Sequence, residues 1–161
     1  MKKVILTFIL SGAVLLSGCT YDVTGKGRDL HRFECPNITE NVKRDVVGKT
    51  DFINNLQQMA SLASLFNDIG TKKLITARAK ADQAYVEEVY ACTLTTREQA
   101  IEFAEQQFQQ LKLAPKNEQE KTALIDTYAK WTTFMQNVSV DNDANQELIN
   151  FKTAANNYLL M

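Results

Sequence analysis

Residues 117–138 read NEQEKTALIDTYAKWTTFMQNV. Within this stretch Leu124, Tyr128, Trp131, Met135 and Val138 recur at steps of four, three, four and three, the spacing that lines large apolar side chains along one face of an α-helix. Asn117 and Glu120 stand at capping-box spacing and mark where that helix opens, while Pro115 closes the connection before it. The stripe is expected to face a core, with Trp131 buried. Phe134 lies off the stripe and is the residue expected to stay exposed, as an aromatic anchor for a partner.

Similar signals extend in both directions. Downstream, the polar turn Asp141-Asn142-Asp143 leads into Leu148, Phe151, Ala155 and Tyr158. Upstream, Thr95-Thr96-Arg97-Glu98 has capping-box form and opens a helix carrying Ile101, Ala104, Phe108 and Leu111. Thr71 is positioned to cap a segment running to about Cys92, with a small-residue face of Leu74, Ala77, Ala81, Ala84 and Ala91 and with Tyr85 and Val89 supplying bulk beside it. Before it, Thr50 or Asp51 can cap a helix bearing Phe52, Leu56, Met59, Ala63 and Phe66, with Gly70 as its stop. Asn37-Ile38-Thr39-Glu40 predicts a shorter helix over 38–47, ending at Gly48. Short connections favour antiparallel neighbours. The fold class is therefore all-α, an antiparallel bundle of five or six helices over residues 35–161. A solenoid of helix pairs is the alternative.

The amino-terminal segment has a different character. Lys2-Lys3 precede Val4-Ile5-Leu6-Thr7-Phe8-Ile9-Leu10, and Ala13-Val14-Leu15-Leu16 resume the apolar run after Ser11-Gly12. This is a secretory signal, too short and wrongly flanked for a membrane span. It ends Leu16-Ser17-Gly18-Cys19, which resembles the lipobox of bacterial lipoproteins. The resemblance covers the signal and one further residue. It implies that residues 1–18 are removed, that the Cys19 thiol is diacylated by chains such as palmitate, and that the new amino group is acylated too. Stable anchoring takes more than one acyl chain, in keeping with that chemistry. Thr20 stands after the cysteine where an Asp would retain an enteric lipoprotein, so the resemblance points to the outer membrane, facing the periplasm. Residues 19–34 hold Gly25 and Gly27 without a sustained period and read as a tether with a span of about 20–25 Å.

Loss of Lys2 and Lys3 reduces the 18 basic residues to 16 against 19 acidic ones, a net charge near −3. No basic block remains, which argues against nucleic acid as a partner. With Cys19 lipidated, Cys35 and Cys92 form an even pair, and in an oxidising periplasm a disulfide is their simplest state. Closing a loop of about 58 residues stabilises a fold by roughly 4 kcal/mol on the chain-entropy account. No C-x-x-C is present, and one histidine with two distant cysteines makes a poor metal set, so no metal or cofactor is expected.

Catalytic chemistry finds little to work with. His31 is the only histidine and lies in the tether, where a triad is hard to assemble. Glu87–Glu88, Glu102–Glu105 and Glu118–Glu120 are paired carboxylates, all expected on solvated faces, as is the run Gln106, Gln107, Gln109 and Gln110. The expectation is a non-enzymatic interaction module held to the membrane through Cys19, of the immunity or exclusion kind that meets a toxin or transfer apparatus. An accessory subunit of an envelope machine is the alternative. Replacing Cys19 with Ser should leave an unprocessed precursor that no fatty-acid probe labels; maturation to the same size with membrane retention would overturn the anchor.

Overall fold

The computed structural model describes residues 35–161, so the signal, Cys19, His31 and the tether lie outside the described residues. Four α-helices are present among the described residues: α1 Lys49–Ala79, α2 Gln83–Leu111, α3 Glu118–Asn137 and α4 Asn145–Leu159. They run alternately up and down. Pairings such as Asn55–Gln107 and Arg78–Tyr90 set α1 antiparallel to α2, and Thr71 reaching Val140 while Trp131 reaches Leu56 sets α3 alongside α1. Packing is most extensive within the α1–α2 and α3–α4 pairs, which meet across a shared core.

The reading of α3 is the closest to what is observed. Leu124, Trp131, Met135 and Val138 are buried and Tyr128 is partly so. Asn117 Oδ1 accepts from the Glu120 amide at 2.8 Å, satisfying one of the orphan donors of the first turn. The Glu120 carboxylate in turn accepts from the Lys116 amide, one residue earlier than a standard capping box. The Trp131 indole N–H donates to the Leu56 carbonyl at 2.9 Å, so this fully buried ring leaves no polar atom unpaired. Phe134 corrects the expectation of exposure. It is wholly buried, because α3 packs against three other helices and its apolar arc is wider than one stripe.

The count of five or six helices is replaced by four, for identifiable reasons. Residues 38–47 form turns in place of a helix. Asn37 Oδ1 accepts from both the amide and the hydroxyl of Thr39, so the apparent capping box is spent on a local turn. The carbonyls of Lys43 and Arg44, which a helix would need, accept instead from the side chains of Asn55 and Gln107. Gly70 does not end its helix either. A helix-ending glycine takes a left-handed conformation, and no glycine among the described residues has positive φ. Thr71, expected as a cap, sits mid-helix, its hydroxyl 2.9 Å from the carbonyls of both Asn67 and Val140.

The chain reverses ten residues later, at Lys80-Ala81-Asp82. Ala81 takes the left-handed position (φ 53°), which costs an L-residue roughly 1–2 kcal/mol. The Asp82 amide closes back on the Ala77 carbonyl, and the Asp82 carboxylate caps α2 through the Tyr85 amide at 3.1 Å. Of the expected small-residue face only Leu74 and Ala77 are buried; Ala81, Ala84 and Ala91 are exposed, while Tyr85 and Val89, expected to supply bulk beside it, are buried together with Val86. Thr95 starts no helix, since α2 runs unbroken through it, and Cys92 lies mid-helix.

Trp131→Ala should cost about 3–5 kcal/mol, with loss of helical circular dichroism at temperatures where the parent is folded. Parent emission should be blue-shifted and resistant to quenchers. Red, readily quenched emission from this sole tryptophan would contradict its burial.

Candidate functional site

Three places concentrate chemistry. The first is the junction of Cys35 and Cys92, whose sulfurs lie at disulfide distance with Cα atoms 5.2 Å apart, inside the range a bridge requires. Thr96, one turn on from Cys92, is buried and donates to the Pro36 carbonyl at 3.1 Å, fastening the same segment a second time. Asn55 and Gln107 add a third fastening. These buried amides bond each other at 3.0 Å and donate to the Lys43 carbonyl at 2.7 and 2.8 Å. With Ile38 and Val42 buried beneath it, residues 35–48 form a strap across α1 and α2. The reading of Gln107 as solvated is corrected. Ala100, Ala104, Gln107 and Leu111 are spaced four, three and four, and that periodicity was the available signal for its burial.

The second place is the seam between α2 and α3. The Tyr128 hydroxyl donates to the Glu105 carboxylate at 2.7 Å, and Gln109 donates to the same carboxylate. Phe108 stacks on the Tyr128 ring with centroids 4.3 Å apart. Glu105, expected on a solvated face, is half-buried here. The hydrogen bond from Tyr128, and then that from Gln109, holds its carboxyl below the usual carboxylate range. Burial, together with the anionic partner, pushes the Tyr128 phenol well above its ordinary value. Both groups are committed to each other. Glu120, also expected in solvent, is half-buried, and its pKa is lowered chiefly by the Lys116 amide. Glu87, Glu88, Glu102 and Glu118 are exposed as expected.

The third place is a cleft of about 380 Å³ where the α3–α4 turn meets the middle of α1. It is lined by Asn67, Asp68 and Thr71 from α1 and by Val140, Asp141, Asn142 and Asp143 from the turn. The turn is held tightly: Ser139 and Asn142 exchange backbone hydrogen bonds at 2.8 and 2.9 Å, and Asn142 Oδ1 accepts from the Ala144 amide. Ala144 (φ 50°) then starts α4. Asp141 accepts from the Tyr90 hydroxyl at 2.5 Å and lies 3.8 Å from the Arg78 guanidinium. The sequence marked this segment only as a polar turn, and nothing in it signalled that α1 would supply the opposite wall.

Among the described residues no group of three His, Cys, Asp or Glu side chains is placed to hold a metal ion, and no helix is long and apolar enough to cross a membrane. No family, curated protein or solved structure matches the chain.

The Glu105–Tyr128 pair sets a pH dependence. A carboxylate with a depressed folded pKa contributes stability that is present above its unfolded value and lost as pH falls through the folded one. Tyr128→Phe should therefore lower Tm at neutral pH, and the gap to the parent should close as the pH drops below about 4. A gap that stays constant to pH 2 would show that the hydroxyl does not act through Glu105.

Proposed function

We propose that the chain is a bacterial envelope lipoprotein, anchored through acyl chains on Cys19 after removal of residues 1–18, whose helical domain is a protein-interaction module. Two sequence features support the anchor: an export signal, and a small-residue pair directly before Cys19. The observation that carries the module is the polar cleft, a concave surface backed by a packed bundle. The groups most suited to chemistry serve the fold instead, with Glu105 and Tyr128 bonded to each other and Cys35 placed against Cys92. A partner domain needs shape, a few well-placed polar groups and a firm scaffold, all of which an immunity or exclusion protein uses against a toxin or transfer apparatus. The pairing of Cys35 with Cys92 accords with the oxidising side of the inner membrane and with an outer-membrane address facing the periplasm.

One observation favours a second reading, an accessory subunit of an envelope assembly. Val47, Leu113 and Leu160 stand at the end of the bundle opposite the cleft, each about 85% exposed or more. Strongly exposed apolar side chains at one end suit packing against another subunit. Capture of the lipidated protein from cross-linked native envelopes should retain a protein partner in near-stoichiometric amount. Recovery of lipid and lipoprotein-transport components alone, in repeated captures, would sink both readings.

A further inference from the structure

We infer that the end of the bundle carrying Val47, Leu113 and Leu160 is a docking face for the bilayer, seated on anionic phospholipid headgroups. The inference rests on the anchor at Cys19 and accords with the interaction-module reading; it competes with the assembly-subunit reading for the same residues. Exposure supplies the first argument. Val47, Leu113 and Leu160 are 86%, 85% and 87% exposed, more than any other large apolar residue among the described residues. They flank the start of α1, the α2–α3 connection and the end of α4. Lys49 ties these segments together, since its ammonium lies 3.6 Å from Glu120 and donates to the Tyr158 carbonyl at 3.4 Å. Apolar side chains held in water at the end of a packed bundle gain by entering a headgroup layer.

Charge selects the occupant. Residues 43–49 and 112–116 hold Lys43, Arg44, Lys49, Lys112 and Lys116 against the single acid Asp45. Just beyond them, Asp51, Glu118 and Glu120 lie within ion-pair distance of Lys43, Lys121 and Lys49. Arg44, Lys112 and Lys116 are exposed and form no ion pair with any described residue, so their charge is free for an outside anion. The far end has the opposite sign. Residues 82–96 and 139–147 carry Asp82, Glu87, Glu88, Asp141, Asp143 and Glu147 and no basic residue, outnumbering Lys72, Lys73, Arg78 and Lys80. An anionic surface attracts the first end and repels the second. Lysine, depleted in protein interfaces, lies easily along a headgroup layer with its stem on apolar surface, which favours lipid over a subunit. Reach permits either end. Cys35 is 16 residues on from Cys19, a span of about 55 Å at full extension. It is held at Cys92, about 28 Å along α2 from Leu111 and about 14 Å from Gln83. With both ends inside the tether's range, charge and exposed apolar side chains decide for the Leu113 end.

The test reconstitutes the full-length protein into vesicles of phosphatidylcholine mixed with phosphatidylglycerol, with bromine on the acyl chains as a contact quencher of tryptophan. Leu113→Trp places a reporter on the proposed face, and Ile75→Trp, also at an exposed position, places one near the far end. Buried Trp131 gives the parent its unquenched baseline. The added emission of Leu113→Trp should be quenched about twofold or more, and that of Ile75→Trp should not change. Arg44→Gln, Lys112→Gln and Lys116→Gln combined should remove most of the quenching with Tm unchanged, as should pure phosphatidylcholine vesicles or about 0.5 M salt. Absence of quenching at Leu113→Trp, equal quenching at Ile75→Trp, or quenching indifferent to the three cations would each overturn the assignment. Cross-linking of position 113 to a protein in native envelopes, in place of lipid, would overturn it in favour of a subunit. Mass spectrometry of the amino-terminal peptide in the same sample reports the acyl chains on Cys19. A chain without them rejects the anchor, and the two reporters still decide the docking.

Discussion

The bundle depends on one buried contact. Trp131 fills the centre of the core and donates its indole N–H to the carbonyl of Leu56, fixing the height of α3 against α1. A helix stripe of apolar residues sets which face turns inward but allows sliding along the axis. A directional hydrogen bond in a water-free interior resists that sliding, because breaking it strands a buried donor. Once α3 is fixed against α1, the α3–α4 turn is carried to the level of Thr71, whose hydroxyl reaches Val140. The cleft is a consequence of that register, with one wall from each side of the contact.

The strap of residues 35–48 follows a different rule. Its carbonyls are satisfied by Asn55 and Gln107 in place of helical hydrogen bonds, so it stays irregular while lying on a core built with Ile38 and Val42. Two buried amides bonded to each other and to a common carbonyl specify one docking position, where apolar residues of equal size would tolerate several. The pairing of Cys35 with Cys92 and the bond from Thr96 to Pro36 secure the start of the strap at the middle of α2. Irregular backbone thus replaces a fifth helix here.

These features explain what could be read from the sequence. Apolar periodicity is a local property, and it located α3, α4 and the buried faces of the first halves of α1 and the last halves of α2. The pairing of Cys35 with Cys92 was legible only because the reading of Cys19 as the lipid-bearing residue left an even pair in an oxidising compartment. Helix ends were read from glycine and threonine, and these signals misled, since threonine is equally at home bonding to the carbonyl four residues back, as Thr71, Thr93 and Thr127 do. The true reversal at Ala81 carries no glycine or proline, and Asp82 was its single sign. Phe134 and Gln107 were misjudged for the same reason: how wide an arc of a helix is buried depends on how many neighbours it has, which is a tertiary quantity. The cleft was not legible at all, because Asn67 and Asp141 are over seventy residues apart and meet only through the register that Trp131 imposes.

The two ends of the bundle differ in their most exposed residues. Where α1 begins and α4 ends, Val47, Leu113 and Leu160 stand in solvent, and Lys49 lies 5.5 Å from the Tyr158 ring centroid and 3.6 Å from Glu120. At the level of the α3–α4 turn, carboxylates and amides line the cleft, while α1 and α2 continue past it to their reversal at Ala81. An apolar surface adds affinity without choosing a partner, whereas a charged cleft chooses a partner through the cost of leaving its carboxylates mismatched. On the interaction-module proposal, a domain that carries both would separate adhesion from discrimination. The division accommodates either proposed role, because an immunity protein and an assembly subunit both have to reject close relatives of the partner they accept.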